Sequence, residues 1–394
     1  MTGSVLFHVQ WLLGIGHLQR TLRIAEALAD DGVAVTLAGG GPPVPGLAID
    51  PRVRVVQLPP VRARDARFEL VDEAGQPLDD ALRAARRQAL LAAFAAARPG
   101  VVVIEGFPFA RRAFRFELDP LIAGAHAAGA RVVCSVRDVI VMRDDPVRQH
   151  QAVARVRDDF AAVMVHGDPG FIPFAASFPP ADEIADQLIY TGYVTNAARA
   201  DLSVPDTPQG EVVVSAGGGG VAGRRLMAAA LAAQRAGCLA GTRWRLLTGT
   251  ALPEAEFAAL CREAPAGVSV ERFRRDFPAL LRHCRVSVSQ AGYNTALDIV
   301  VARVPAVLVP FAEGNETEQA IRADYFAARG VAELVRENEL APETLGAAIE
   351  RAASRPPAAL AIDTGGAHRS AEIIAGLLGT GGGHKGLARR NGAV

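Results

Sequence analysis

The residue types best suited to chemistry stand late in the chain, in Ser289-Gln-Ala-Gly-Tyr-Asn-Thr-Ala-Leu-Asp298 and, past an apolar strand, in Glu313-Gly-Asn-Glu-Thr-Glu-Gln319. Gly292, Asn294 and Thr295 put a glycine and two small polar residues at the start of an expected helix. A helix start offers unpaired N–H groups and a partial positive charge, which together suit a phosphate. Asp298, one turn further in, is spaced to accept both hydroxyls of a ribose, as the acidic residue of dinucleotide-binding folds does. The acidic–amide pair Glu318 and Gln319 would then meet a sugar carried by the diphosphate.

A second candidate lies near the amino terminus, in Leu13-Gly-Ile-Gly-His-Leu-Gln-Arg20. It follows an expected strand, and ligands of open α/β sheets collect outside the carboxyl ends of the strands. Gly14 and Gly16 let the backbone approach a ligand, and His17 falls at a helix start. An imidazole there could be a general base for a sugar hydroxyl; the alternative is a structural histidine. Three more strand ends carry polar groups: Glu105-Gly-Phe-Pro-Phe109, Ser135-Val-Arg-Asp138 and His166-Gly-Asp168. Glu105 or Asp138 would orient His17 and stabilise its protonated form, bind an acceptor, or serve as a helix cap or arginine partner. Gly217, Gly218, Gly219 and Gly220 follow a strand and precede a helix, as a loop approaching a phosphate or an acceptor does, or as a plain turn. There is no P-loop and no Asp-x-Asp, so neither an ATP cradle nor a metal-held diphosphate is expected. No metal and no cofactor are expected; N–H groups and a helix dipole would neutralise the leaving diphosphate.

Short β-branched runs that alternate with alanine- and leucine-rich stretches position these residues. Val5–Val9, Ala34–Ala38, Val53–Leu58, Val101–Ile104, Arg131–Ser135 and Ala162–Val165 read as buried parallel strands, and residues 18–28 as a helix closed by Gly32. The pattern restarts at Glu211–Ser215, with a helix over Arg224–Ala236 and strands at Arg243–Leu247, Val268–Glu271, Val286–Ser289 and Ala306–Pro310. The expected fold is therefore α/β, two Rossmann-like, doubly wound parallel-sheet domains facing a cleft. The first spans 1–195, a linker 196–207 and the second 208–360. A helix within 361–378 returns to the first domain, and 379–394 form a flexible tail. Forty-two Lys and Arg balance 42 Asp and Glu, which argues against nucleic acid as a partner. Arginines cluster at 62, 64 and 67, at 83, 86 and 87, and at 111, 112 and 115, either as solvated helix faces or against an anionic acceptor or membrane surface. Cys134, Cys238, Cys261 and Cys284 form no Cys-x-x-Cys pair, and no signal segment or spanning apolar run is evident. A cytoplasmic protein, with peripheral contact to the inner face of a membrane left open, is expected.

Residues Val268–Val335 resemble the C-terminal domain of MurG-like glycosyltransferases, the glycosyltransferase family 28 C-terminal domain. Gly14-Ile-Gly-His17 resembles the glycine–histidine loop of GT-B enzymes. Phe7-His-Val-Gln10 and Phe107-Pro-Phe-Ala-Arg-Arg112 add a likeness to a bacterial predicted glycosyltransferase group. The resemblance implies that the loop at Phe273 and Arg274 holds the nucleobase through its backbone, and that Gly292 to Thr295 bind the diphosphate. Asp298 replaces a ribose-binding glutamate, while Glu318 and Gln319 replace the more usual pair of glutamines; Arg322 stands where an asparagine is common. The implied activity is an inverting, metal-independent transfer from a nucleotide-sugar donor, a UDP-sugar, to a glycan, lipid-linked or small-molecule acceptor. The rivals are a UDP-sugar hydrolase of the same fold (PseG-like), a UDP-sugar 2-epimerase and a non-catalytic nucleotide-sugar-binding subunit.

Overall fold

A computed structural model describes residues 3–12, 14–64, 69–141, 145–195, 210–217, 221–311, 317–356, 358 and 360–379, with only the backbone of 221 and 222. The described residues fall into two compact units, one within Met1–Val194 and Ile362–Val394, the other within Thr195–Ala361. The expected linker, 196–207, and all but the first residue of the expected tail lie outside the described residues, as do Gly218, Gly219, Gly220 and residues 313–316.

In the first unit the strands are β1 (Ser4–Val9), β2 (Ala34–Gly39), β3 (Val53–Gln57), a small hairpin of β4 (Arg62–Ala63) and β5 (Leu70–Val71), then β6 (Val101–Glu105), β7 (Arg131–Arg137), β8 (Ala162–His166) and β9 (Leu188–Tyr190). All but the hairpin form one parallel sheet in the order β3-β2-β1-β6-β7-β8-β9. The chain winds outward from β1 in one direction and then from β6 in the other. Between β1 and β6 is the point where the winding reverses, the usual ligand position of such sheets.

Four of the helices that cover this sheet are α1 (Gly16–Asp30), α2 (Asp80–Ala97), α3 (Arg115–Ala127) and α4 (Pro146–Asp159). Their starts are written locally. Asp79 accepts the Leu82 N–H at 2.7 Å at the head of α2, and Asp145 caps α4 ahead of Pro146. Strand residues alternate between two apolar layers. Val5, Phe7 and Val9 join the α1 side, whereas Leu6, Val102 and Ile104 join Leu90, Leu118, Leu121 and Val156 on the other. Each fully buried Leu, Ile or Val contributes roughly 1.5–3 kcal/mol, which is why these runs read as continuously apolar.

A buried polar knot interrupts the second layer. Arg86 donates to Glu117 at 2.9 and 2.7 Å and to Gln10 Oε1 at 2.8 Å, and His8 Nε2 lies 3.2 Å from Glu117. Arg86, expected either on a solvated helix face or against an anionic acceptor or membrane surface, is instead 0% exposed. Its partners explain the correction: Glu117 neutralises it, and the Gly40 and Pro59 carbonyls accept its remaining N–H groups. The knot ties α2 and α3 to Gln10, the residue that follows β1.

The second unit has β10 (Val212–Ser215), α5 (Val221–Arg235), β11 (Trp244–Leu247), α6 (Glu254–Glu263), β12 (Val268–Glu271), α7 (Phe277–His283), β13 (Val286–Ser289), α8 (Tyr293–Ala302), β14 (Ala306–Leu308), α9 (Glu318–Ala328), β15 (Glu333–Leu334) and α10 (Pro342–Ala353). Its parallel order, β12-β11-β10-β13-β14-β15, reverses between β10 and β13. Buried Arg245 on β11 grips Glu211 at 2.8 and 3.1 Å and also pairs with Glu271, stitching three strand segments together. The last helix, α11 (Gly366–Gly379), packs in the first unit, where Ile373, Ile374 and Leu377 enter the α1 layer.

Candidate active site

At the reversal point of the first sheet, the loop after β1 turns into α1 and carries His17 in its first turn. A Cβ on Gly14 would meet nothing within 4 Å, so the protein's own packing does not impose this glycine, and space remains beside it. His17 Nδ1 lies 2.9 Å from Oε1 of Glu105, the last residue of neighbouring β6. One turn along α1, Arg20 pairs with the same carboxylate oxygen and lies 3.2 Å from Nδ1. Ser135 donates to Glu105 Oε2 at 2.6 Å and touches His166 Nε2 at 2.9 Å, and His166 Nδ1 meets Thr191 Oγ1 at 2.9 Å. The start of α1 and the carboxyl-terminal parts of β6, β7, β8 and β9 thus contribute one continuous polar chain.

The hydrogen-bond pattern assigns the tautomer of His17. Glu105 can only accept, so Nδ1 carries the proton, and Nε2 presents a lone pair, which accepts from Arg137 Nη2 at 2.8 Å. Burial, followed by the Arg137 charge, lowers the His17 pKa to about 3, against the opposing pull of Glu105. Burial alone would raise Glu105; the Arg20 charge and the bonds from His17 and Ser135 outweigh it and hold the carboxyl well below the usual range. His166 is also lowered to about 3, by burial and then by Arg20. The site is therefore a neutral imidazole backed by a firmly ionised carboxylate.

Of the two carboxylates considered for His17, Glu105 is the one that accepts its hydrogen bond. Asp138 is 1% exposed and accepts from Val139 N at 2.8 Å and from the Tyr193 hydroxyl at 3.2 Å. Ser135 and His166 come from strand ends noted in the sequence as polar, and Arg111 from one of its arginine clusters, whereas Arg20 and Arg137 join the site with no role assigned from the sequence. The spacing of Arg20, three residues after His17 on a helix, was its available signal.

In the second unit, Gly217 follows β10 with φ 59, a left-handed turn that favours glycine, and a Cβ there would approach Gln290 Oε1 at 3.7 Å. The loops after β10 and β13 therefore run side by side at the reversal point. Gly292 is the N-cap of α8 and offers no side-chain cap; a Cβ on it would meet nothing within 4 Å. Asn294, Thr295 and Asp298 are half-exposed while Tyr293, Ala296, Leu297, Ile299 and Val300 are buried, so Asn294 and Asp298 share the open face one turn apart.

The residues around this helix start lock it in place. Gln319 Oε1 accepts from Ala291 N and Phe311 N, both at 3.1 Å, fastening α9 to the ends of β13 and β14. Glu318 is 3% exposed and pairs at 2.8 Å with Arg322, which donates to the Ala291 carbonyl at 2.9 Å and lies over the Tyr293 ring at 5.6 Å. Arg322 thus acts as a strut for the Ala291–Gly292 turn. In the loop after β12, the Phe273 ring is 65% exposed and Arg274 is clamped to Asp276 at 2.8 and 2.6 Å. No group of three or more His, Cys, Asp or Glu residues is arranged as a metal site among the described residues.

Residues 213–375 match the glycosyltransferase family 28 C-terminal domain. The chain is 28% identical over 270 residues to the UDP-N-acetylglucosamine–N-acetylmuramyl-(pentapeptide) pyrophosphoryl-undecaprenol N-acetylglucosamine transferase of Phenylobacterium zucineum, covering 66% of this chain and 72% of that protein. Among solved structures, the kitacinnamycin glycosyltransferase superposes with a TM-score of 0.64 at 17% identity, covering 96% of this chain and 100% of the other. MurG of Acinetobacter baumannii does so with a TM-score of 0.57 at 15% identity, covering 95% and 98%. By domain match, relative and fold, this chain is similar to glycosyltransferases: it has the GT-B fold, and its residues 213–375 match the family 28 C-terminal domain.

Proposed function

We propose that the protein transfers a sugar from a UDP-sugar to an acceptor hydroxyl with inversion at the anomeric carbon and without a metal. The observation that carries this reading is the start of α8, with Gly292 as its N-cap, at the reversal point of the second sheet and inside the family 28 region. The amides of Gly292 to Thr295 and the α8 dipole receive the diphosphate, Asp298 takes the ribose hydroxyls, and the backbone at Phe273 and Arg274 holds the base. Glu318 and Gln319 shape the sugar end of this site from within α9. As the acceptor oxygen bonds to the anomeric carbon, His17 Nε2 takes its proton, Glu105 stabilises the imidazolium, and the broken bond's electrons leave on the diphosphate.

The relative from Phenylobacterium zucineum has a lipid-linked acceptor in its name. A lipid-linked acceptor would bring this protein to the cytoplasmic membrane surface as a peripheral partner; no described helix is long and apolar enough to cross a membrane. The test is incubation of the full chain with UDP-sugars, with and without an acceptor panel that includes polyprenyl-linked, glycan and small-molecule hydroxyls, in EDTA. The reading expects UDP and a glycosylated product that depend on acceptor. Stoichiometric free sugar without acceptor would make it a hydrolase, and donor binding with no turnover across the panel would make it a binding subunit.

A further inference from the structure

The loop after β12, taken here to hold the nucleobase, is fastened on both sides of its exposed aromatic ring. The main-chain ladder of the sheet runs up to Arg272, whose carbonyl accepts from Gly249 N at 3.0 Å. The Arg272 side chain donates to the Leu252 carbonyl and to Glu254, both at 2.6 Å, and lies over the Phe257 ring at 4.3 Å. Beyond Phe273, Arg274 grips both oxygens of Asp276, and the Asp276 carbonyl accepts from Leu280 N of α7 at 2.9 Å. The Arg272 clamp ends at the surface, on exposed Glu254, whereas the Arg274 clamp continues into the sheet.

Glu271, the last residue of β12, divides its two oxygens between two arginines. Oε2 accepts from Arg274 Nη1 at 3.4 Å, while Oε1 pairs with Nη1 of Arg245 on the adjacent strand β11. Arg245 is 6% exposed, and its Nε and Nη2 hold Glu211, just ahead of β10, at 2.8 and 3.1 Å. Charges therefore alternate from the middle of the sheet out to the loop, in the order Glu211, Arg245, Glu271, Arg274, Asp276. The fork of each guanidinium fixes direction as well as distance. A buried ion pair is weak evidence for stability, because desolvation offsets much of the attraction. Such a chain does supply orientation, and the end it orients here is the backbone at Phe273 and Arg274.

We infer that Arg245 is a positioning residue for nucleobase recognition: through Glu271 it holds Arg274, and with it the peptide between Phe273 and Arg274, in the conformation that meets the base. This rests on the glycosyl-transfer reading for the role of the loop. Arg245 acts from inside the sheet, so its loss spares the amides of Gly292 to Thr295 and loosens only the base end of the site. The cost falls on base selectivity, because a loop that must be ordered on binding gives back part of its interaction energy. Lysine does not replace this arginine, since one ammonium cannot span Glu211 and Glu271 as the guanidinium fork does.

The experiment is calorimetric titration of the full chain with UDP and, separately, with ADP, for the wild type, Arg245→Lys, Glu271→Gln and the double variant. The wild type is expected to prefer UDP, and each single variant to lose about tenfold of that preference. The double variant should lose no more than the larger single loss, because both residues act along one chain of contacts. Glu271 is half-buried and its replacement leaves Glu211 and Arg245 paired, so Glu271→Gln carries the test where Arg245→Lys folds poorly. A merely structural role would lower Tm and weaken UDP and ADP alike. An unchanged ratio in folded Glu271→Gln therefore overturns the inference, as does full additivity in the double variant. A wild type that binds ADP as well as UDP, or better, also overturns it, while leaving diphosphate binding at the α8 start intact. A wild type that binds neither nucleotide strikes the glycosyl-transfer reading, and the inference with it.

Discussion

At the scale of single residues, the account places the proton on His17 and the charge on Glu105. Replacing His17 with Ala should lower turnover roughly 10²–10⁴-fold while leaving UDP affinity unchanged. The neutral imidazole is the active form, so activity falls as pH drops through its pKa. Burial and Arg137 lower that pKa from the ordinary histidine value of 6.5 to about 3, so the acid limb of kcat/KM should lie well below 6.5. In Arg137→Gln the limb should move up, and a limb at the same pH in both proteins would contradict the assignment. The strand ends were legible in the sequence, and with them His17 and Glu105. The partner of His17 was not, because the pleat decides which strand-end side chains point together. Ser135 and Arg137, two apart on β7, share a face with Glu105 and His17, while Asp138 has the opposite parity and meets Tyr193.

At the scale of elements, the two buried histidines couple the site to stability. Both His17 and His166 are held neutral, with pKa values lowered to about 3. Between pH 6.5 and 3 the unfolded chain binds protons that the folded chain refuses. Stability is therefore full above the ordinary histidine value and is lost on acidification, by up to about 1.4 kcal/mol per pH unit for each histidine. Urea melts from pH 7 to 5 should show this slope, and His166→Asn should flatten it; an unchanged slope would mean that His166 titrates normally in the fold. The α11 start gives a sharper structural test. A Cβ on Gly366 would sit 2.4 Å from the Gly192 carbonyl oxygen and 2.7 Å from the Tyr193 carbonyl carbon, both backbone. Gly366→Ala should cost about 1–3 kcal/mol by overpacking, read as a fall in Tm. Strand and helix identities were plain from continuous apolar runs and helical spacing. Arg86 was misplaced because charge patterning shows the sign of a residue but not the carboxylate, here Glu117 from α3, that lets it be buried.

At the scale of the whole molecule, each sheet reverses its winding once, and each candidate site stands at that reversal, β1/β6 in one unit and β10/β13 in the other. The repeat of the strand–helix pattern made this two-unit organisation legible. What the linear pattern could not give was the function of Arg322. Its place in the motif marks a departure from the family, while its contacts show a buried strut that holds the Ala291–Gly292 turn. On the proposed reading the second unit binds a uridine diphosphate at the α8 start through N–H groups and Asp298, with no divalent ion. The decisive measurement is a calorimetric titration of the full chain with UDP in EDTA, wild type against Asp298→Ala. Saturable binding is expected in the wild type, with affinity about tenfold weaker in the variant. Binding that appears only when a divalent cation is added, or equal affinity in the two proteins, would contradict it.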